Sequence, residues 1–476
     1  MINNYQYKKI CSASKSFLKL NSNNLVLTSI DQAHIIRPHP IFLKKYNILF
    51  ESFFYLKILN TLIINFIKLL VHFIKNIFKE KSHIDIKKGS DYIFVSHFLN
   101  KKQIKAEKKN DYYFSHFLRT IKKKNTLVLF NHLNQNFIAK NKIILNSNEN
   151  FKTEAKIFIK LINQFLKFRK NYINKNKFER KFYILIYANI ISINTFNNLK
   201  IYFQFKKITK KIQPKKIIVT FEGHAFERNI FLASKKINKK IKTIGFHHSI
   251  PFKNQFAYNL KLNNDSDPDI VMTSGKISYN KFLKQKSFNK VILIGSNRIS
   301  NTATKFKNER LKKIKYCLVI PEGIESEANL LLRFCAKYLV NFDDIKFVIR
   351  LHPLLSMKRK KYRDLFKKVD IGNKVFFSNN KNQYDDIKKC DLTLYRGTSL
   401  IFDATKNGLV PFYYQRKNEI NFDPLSISKN KNKKSILVSN IFEFNKAIKN
   451  KNIYKKNYYF EAYSYPNKKK ILKYFK

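Results

Sequence analysis

Glycine, proline, methionine and tryptophan are scarce in this chain: nine, ten, three and none among 476 residues. Acids are scarce too, with 31 Asp and Glu against 95 Lys and Arg, which leaves a formal net charge of +64. Only 13 of the basic residues are Arg, and the Lys excess travels with Asn, Ile, Phe and Tyr. That is the residue usage of an AT-rich coding sequence, so part of the charge is background. Four cysteines, Cys11, Cys317, Cys335 and Cys390, are too few and too scattered for a disulfide framework or a cysteine-based zinc site, and they fit a reducing compartment. The opening residues, MINNYQYKKICSASKSF, lack the apolar stretch and small-residue cleavage site of a secretory signal, so the expected location is the cytoplasm.

Against these shortages stand 44% hydrophobic and 15% aromatic residues, enough for full cores and incompatible with wholesale disorder. The length suggests two or three domains. One segment raises the membrane question. From Phe53 to Phe78 large apolar residues dominate, but Lys57, Lys68 and Lys75 interrupt them, and the longest charge-free run, Ile58 to Ile67, falls short of the ~20 residues needed to span a bilayer. A basic helix lying in the plane of anionic headgroups and a basic helix packed on its domain are the two readings.

Beyond residue 90 the pattern alternates between strand and helix. DYIFVS at 91–96 and TLVLFN at 126–131 read as buried strands with a helix at 111–122 between them, and the apolar spacing of Phe158, Leu161, Ile162, Phe165 and Leu166 predicts an amphipathic helix. Strands are expected at 217–221, 243–247, 268–272 and 291–294, then a polar, basic linker over 298–315. A second set follows, with strands at 316–320, 346–351, 375–378, 391–395 and 410–414. These strands are apolar throughout, as in parallel sheets covered on both faces. The predicted fold class is α/β, with two Rossmann-like parallel-sheet domains facing a cleft. Residues 1–90 would form an N-terminal extension, 91–297 the first domain, and 316–476 the second domain with a C-terminal tail.

In open α/β sheets ligands bind beyond the carboxyl ends of the strands. Five post-strand segments gather ionisable groups there: Glu222-Gly223-His224, His247-His248-Ser249, Pro321-Glu322-Gly323, Arg350-Leu351-His352-Pro353 and Arg396-Gly397-Thr398-Ser399. Gly397, Thr398 and Ser399 precede a helix, where free backbone N–H groups and hydroxyls suit a phosphate and Arg396 adds a cation; the alternative is a capped helix with a surface Arg. Arg350 and His352 share one side of their strand, and His352 can bond a phosphate or ribose. Glu222 is a candidate general base, with His248 assisting or orienting substrate, and the alternative is that Glu222 and Glu227 complement a helix dipole.

Taken in order, EGHAFE, IGFHHS, PDIVMTSG, VILIGSNR, VIPEGIESE, RLHP, DLTLYRGTS and GLVPFYY resemble bacterial surface-carbohydrate glycosyltransferases of the two-Rossmann-domain (GT-B) kind, and are similar to the capsule and polysialic acid transferases. The resemblance runs from about Asp91 to Tyr414 and is strongest from Lys216 onward. It implies that Glu222, before Gly223, is the general base, that His352-Pro353 binds the nucleotide of the donor, cytidine monophosphate in those enzymes, and that Thr398 and Ser399 hold donor phosphate, with Glu322 and Gly323 on the donor side. Phe221 stands where that family has a second acid. Asp265-Ser266-Asp267 lies in a loop rather than at a strand end, so no catalytic metal is expected, and no cofactor apart from the nucleotide sugar as substrate. The implied reaction is direct displacement at an anomeric carbon with inversion, on a glycan or lipid-linked glycan acceptor, at the inner membrane face. Sugar-nucleotide epimerases and polyol-phosphate transferases share the fold. A nucleic-acid-binding basic protein is the alternative from another class, motivated by the charge; against it, Lys is spread along the chain, Arg is sparse and no zinc, RRM or helix-turn-helix signature occurs.

Overall fold

Most of the strands that read as apolar throughout are buried on both faces, the edge strands at 291–293 and 375–377 less so, and every strand pairs in parallel. The computed structural model describes residues 2–36, 40–78, 89–98, 103, 107–131, 142–145, 149–168, 175–252, 254–285, 288–299, 315–367, 369, 374–380, 382–427, 435–450 and 459–475. Its first sheet contains β1 (Tyr92–Phe98), β2 (Asn125–Asn131), β3 (Lys142–Leu145), β4 (Lys216–Thr220), β5 (Lys242–His247), β6 (Ile270–Thr273) and β7 (Val291–Leu293), in the order β3-β2-β1-β4-β5-β6-β7. The second contains β8 (Tyr316–Ile320), β9 (Lys346–Ile349), β10 (Val375–Phe377), β11 (Leu392–Tyr395), β12 (Val410–Tyr414) and β13 (Ile436–Val438), in the order β10-β9-β8-β11-β12-β13. Each follows the doubly wound 3-2-1-4-5-6 order, so the expected pair of Rossmann-like parallel sheets is present. Each also has a switch point where the order reverses, between β1 and β4 in the first and between β8 and β11 in the second.

The helices, in chain order, begin with α1 (Asn4–Leu20), α2 (Leu25–Thr28), α3 (Asp31–His34), α4 (Pro40–Asn47) and α5 (Phe54–Ile77). They continue with α6 (Ser115–Thr120), α7 (Phe151–Phe168), α8 (Lys177–Ile190), α9 (Ile193–Ile212), α10 (Ala225–Ile237) and α11 (Lys276–Gln285). The second half adds α12 (Glu325–Asn341), α13 (Arg359–Asp364), α14 (Gln383–Lys389), α15 (Leu400–Lys406), α16 (Ile441–Lys449), α17 (Tyr459–Ala462) and α18 (Lys468–Tyr474). Alternation along the strands decides what each face buries. Ile93, Val95, Ile217 and Val219 pack under α9 and α10, whereas Tyr92, Phe94, Ile218, Ile244 and Phe246 pack under α6 and, from the far end of the chain, Ile471 and Phe475. In the second domain Cys317, Val319, Phe347, Ile349 and Leu394 face α12 and α16, and Leu318, Ile320, Val348 and Tyr395 face α14, α15 and α17.

The N-terminal residues do not stand apart. Phe17, Leu27, Ile35, Tyr46, Leu69, Leu161, Phe182, Ile186 and Phe196 belong to one core, which joins α1–α5 to α7–α9. Between α8 and α9 the helix breaks at Ser192, whose side chain caps α9 by accepting from Thr195 N. The helix expected over 111–122 is shorter, because Asp111 accepts from Tyr113 N and Phe114 N and turns the chain before α6 begins. Residues 300–314 of the expected linker lie outside the described residues.

The C-terminal segment crosses back to the first domain. Ser464 N donates to Ser274 O, Ser296 N to Ser464 O and Asn467 N to Ile294 O, all at 2.9 Å. Backbone passes this close because Gly275 and Gly295 have no side chain, and a Cβ at either would collide with Ala462 or Tyr465. Tyr92 OH then donates to Phe475 O at 2.8 Å.

Candidate functional site

At the switch point of the first sheet, β4 leads through Phe221 into Glu222-Gly223-His224 and then α10. The turn is shaped by Glu227, whose buried carboxylate accepts from Glu222 N (2.9 Å), Gly223 N (2.7 Å) and His224 N (2.8 Å). Gly223 has φ +89, and a Cβ there would lie 2.7 Å from Ala257 Cβ, so the turn demands glycine twice over. Glu227 is thus the dipole and capping acid that the sequence left as an alternative, and Glu222 is not. Burial pushes the Glu227 carboxyl up to about 7, against the pull of His224.

Glu222 is buried, with Oε2 3.6 Å from His224 Nε2. Burial works against a charged His224 ring, but Glu222 and Glu227 outweigh it and hold the imidazole above its usual pKa. From the neighbouring strand end, His97 Nε2 pairs with Thr220 Oγ1 at 3.0 Å. The Tyr113 ring packs edge-on against His248, 4.4 Å between centroids, and against His97 at 5.4 Å. Burial, reinforced by the Glu222 charge, holds the Tyr113 phenol well above the usual range, so it stays protonated. The structure therefore gathers Glu222 and His248 as expected and adds His97, Tyr113 and His224. His97 carries a legible signal, an ionisable residue ending an apolar strand, whereas Tyr113 is brought in by a turn that no spacing announces.

At the second switch point the loops after β8 and β11 supply Glu322-Gly323 and Arg396-Gly397. A Cβ on Gly323 would sit 2.7 Å from His352 Nδ1, and one on Gly397, whose φ is +52, would strike the Glu322 carboxylate. Glu322, Gly323, His352 and Gly397 thus come together around one narrow recess. His352 Nδ1 accepts from Leu354 N at 3.3 Å, which leaves the ring proton on Nε2. Burial lowers the His352 pKa, with Glu322 opposing, so a neutral ring with a donating Nε2–H is the form at neutral pH. Pro353 is exposed and starts the short 3-10 turn that His352 caps.

Both arginines expected at the donor are engaged elsewhere. Arg396 is fully buried; Nε donates to Glu327 Oε2 (2.7 Å), Nη1 to Tyr414 O (2.7 Å) and Nη2 to Glu419 Oε1 (2.8 Å). Its fork is saturated, so it is a strut beneath the recess and neither a phosphate ligand nor a surface cation. Arg350 pairs with the buried Asp386 and donates to Asn380 O at 3.1 Å. Thr398 Oγ1 accepts from Leu400 N at 3.3 Å, and Ser399 is exposed with no capping bond, so these hydroxyls stand at the mouth of the recess.

The two switch points share a boundary. In the loop after β5, Asn254 Nδ2 donates to Asn421 O (3.3 Å) in the loop after β12, and Ile250 packs into the second-domain core. On the other side of His224 lies a cavity of about 140 Å³ walled by Asp31, Gln32, Ile35, Tyr46 and Asn194. Asp31 Oδ1 and Gln32 Oε1 are buried there with no hydrogen-bond partner among the described residues. Ile35 forms its wall at φ +44, a left-handed conformation that a β-branched residue rarely adopts. Among the described residues no group of three or more His, Cys, Asp or Glu is placed to hold a metal ion. Asp267 of the Asp265-Ser266-Asp267 loop is taken by Arg228 and by Leu262 N.

No protein-family model matches the chain, and no curated protein matches it in sequence. Solved structures do. The chain is similar to the S. aureus MnaA–UDP structure (TM-score 0.45, 11% identity, 79% of this chain and 91% of that one). It is similar to the UDP-GlcNAc 2-epimerase of Neisseria meningitidis bound to UDP-GlcNAc (0.44, 12%, 80% and 99%) and to the lipopolysaccharide outer core galactosyltransferase WaaB (0.42, 12%, 74% and 87%).

Proposed function

We propose that this protein is a glycosyltransferase that moves a sugar from a nucleotide-activated donor to a hydroxyl of a surface-glycan acceptor. The observation that carries the reading is the buried Glu222 carboxylate beside His224 and Tyr113 at one switch point, with the Gly323–His352–Gly397 recess at the other. The recess suits the nucleotide and phosphate: two glycines let the backbone approach closely, and the His352 Nε2–H and the Thr398 and Ser399 hydroxyls can donate. Glu222 would take the proton of the acceptor hydroxyl while the new C–O bond forms at the anomeric carbon. The bond from that carbon to the phosphate oxygen breaks, and its electron pair leaves with the nucleotide. A single displacement of this kind inverts the anomeric centre.

The acceptor side would be the cavity next to His224. Asp31 Oδ1 and Gln32 Oε1, without a hydrogen-bond partner among the described residues, share this wall with Lys45, and together they suit the hydroxyls of a sugar ring. The resemblance in sequence points to a cytidine monophosphate donor and to a capsule-type polymer as product. Thermal-shift measurements with CMP, UMP, GMP and their sugar conjugates test the reading. Stabilisation by a nucleotide in the wild type and its loss in His352→Ala are expected, and no response to any nucleotide would reject it. Turnover of the bound sugar nucleotide to its epimer without acceptor would place the chain among the epimerases instead.

A further inference from the structure

Helix α5 is apolar towards the core and again on its outer face. Thirteen of the 28 exposed large hydrophobic side chains among the described residues lie between Phe53 and Phe78. Leu56 (66% exposed), Leu59, Ile63, Ile67, Leu70 and Ile74 point away from the protein. Its protein-facing side buries Phe54, Ile58 and Leu69 in the N-terminal core and adds polar bonds: Asn65 Nδ2 donates to Ala188 O (2.7 Å), and Asn76 Nδ2 reaches His72 Nε2 (3.1 Å) and Glu154 Oε2 (3.4 Å). Glu154 is itself fully buried and paired with Lys200 at 3.1 Å. A helix on a water-exposed surface turns charged and polar residues outward, not a second apolar face.

The lysines are ordered too. At 100° per residue, Lys57, Lys68 and Lys75 fall within about 20° of one another, in a stripe between the outward apolar face and the buried face. The helix contains no acid. The neighbouring α7, joined to α5 by the stacked rings of Phe73 and Phe158 (4.7 Å), repeats the pattern with exposed Phe151, Ile159 and Leu166 beside exposed Lys152, Lys156, Lys160 and Lys167.

We propose that the outer face of α5, extended by α7, seats in the headgroup layer of an anionic bilayer, with the helix in the membrane plane. Apolar side chains would enter the acyl boundary while the lysine stripes meet lipid phosphates. By length and hydropathy α5 passes as a candidate membrane span. Its protein-facing side, however, is bonded lengthwise to the folded domain, which does not fit a span through hydrocarbon. A second copy of the chain is a poor occupant, because it would set two surfaces of +64 chains and two lysine stripes against each other.

The test is co-sedimentation of the full chain with vesicles of phosphatidylcholine alone or with about a third phosphatidylglycerol, at about 0.15 M salt. Tight binding only to the anionic vesicles is expected, released by high salt. The variant Ile63→Ser/Ile67→Ser/Ile74→Ser changes exposed residues only, so its thermal midpoint should match the wild type while its vesicle affinity falls at least tenfold. Lys57→Gln/Lys68→Gln/Lys75→Gln should also lose tenfold or more, through charge. Undiminished binding in the serine variant would overturn the proposal. So would retention of the wild type after alkaline carbonate extraction, which marks a span, or a lipid-free dimer that the serine variant abolishes.

Discussion

Glu222 and Glu227 are five residues apart and chemically identical, yet Glu227 holds three backbone N–H groups of the turn while Glu222 lies against the His224 ring. The consequence is a clean mutational contrast. Glu222→Gln should keep nucleotide binding and lose transfer by about 10²- to 10⁴-fold in kcat, measured by product formation at saturating donor. Full activity would remove Glu222 from the base role. Glu227 gives a pH signature. Its folded pKa of about 7 lies above the ordinary 4.5, so the folded state binds the extra proton, and this contribution to stability is complete below about 4.5 and lost as pH rises through about 7. Urea unfolding at several pH values should show the wild type losing stability relative to Glu227→Gln over that window. At the second switch point, Gly323→Ala should push the His352 ring aside and weaken nucleotide binding about tenfold, with little change in unfolding. Arg396→Met should do the opposite, because Glu327 and Glu419 would remain buried without a cation; a loss of about 3–5 kcal/mol in denaturant unfolding is expected.

The sequence made Glu222, His248, Glu322, Gly323, His352 and Gly397 legible, since all directly follow an apolar run and a parallel sheet gathers its strand ends. It could not reveal that Arg396 is a strut. That depends on Glu327 and Glu419, 69 and 23 residues away, folding over the guanidinium. Nor could it place Asp31 and Gln32 beside His224, because the N-terminal helices reach the site by tertiary packing alone.

Among the elements, long apolar runs bounded by turns were easiest to read, and β1, β4, β5, β8, β11 and β12 fall where expected. The two overlooked strands, β3 and β13, are KIIL and ILV, four and three residues whose pairing with β2 and β12 decides their state. Helix α18 was hidden for a different reason. Its Ile471 and the Phe475 that caps it complete a core that begins at Tyr92, and nothing local in a Lys-rich tail points there. Phe475→Ala should cost about 3 kcal/mol or more by emptying the space between Tyr92, Phe94 and Phe117, read as a lowered midpoint in urea. An unchanged midpoint would mean that α18 is not docked in solution.

On the scale of the whole molecule, the last 17 described residues bind both halves: Tyr459 and Tyr463 enter the core of the second domain, and Ile471 and Phe475 that of the first. Tyr92 and Phe475, which share a hydrogen bond, are 383 residues apart. On a ribosome adding about 5–20 residues per second, the first sheet therefore waits roughly 20–80 s with one apolar face incompletely covered. One face of the first sheet is therefore closed only after residues 471 and 475 have been made, although its strands are made early.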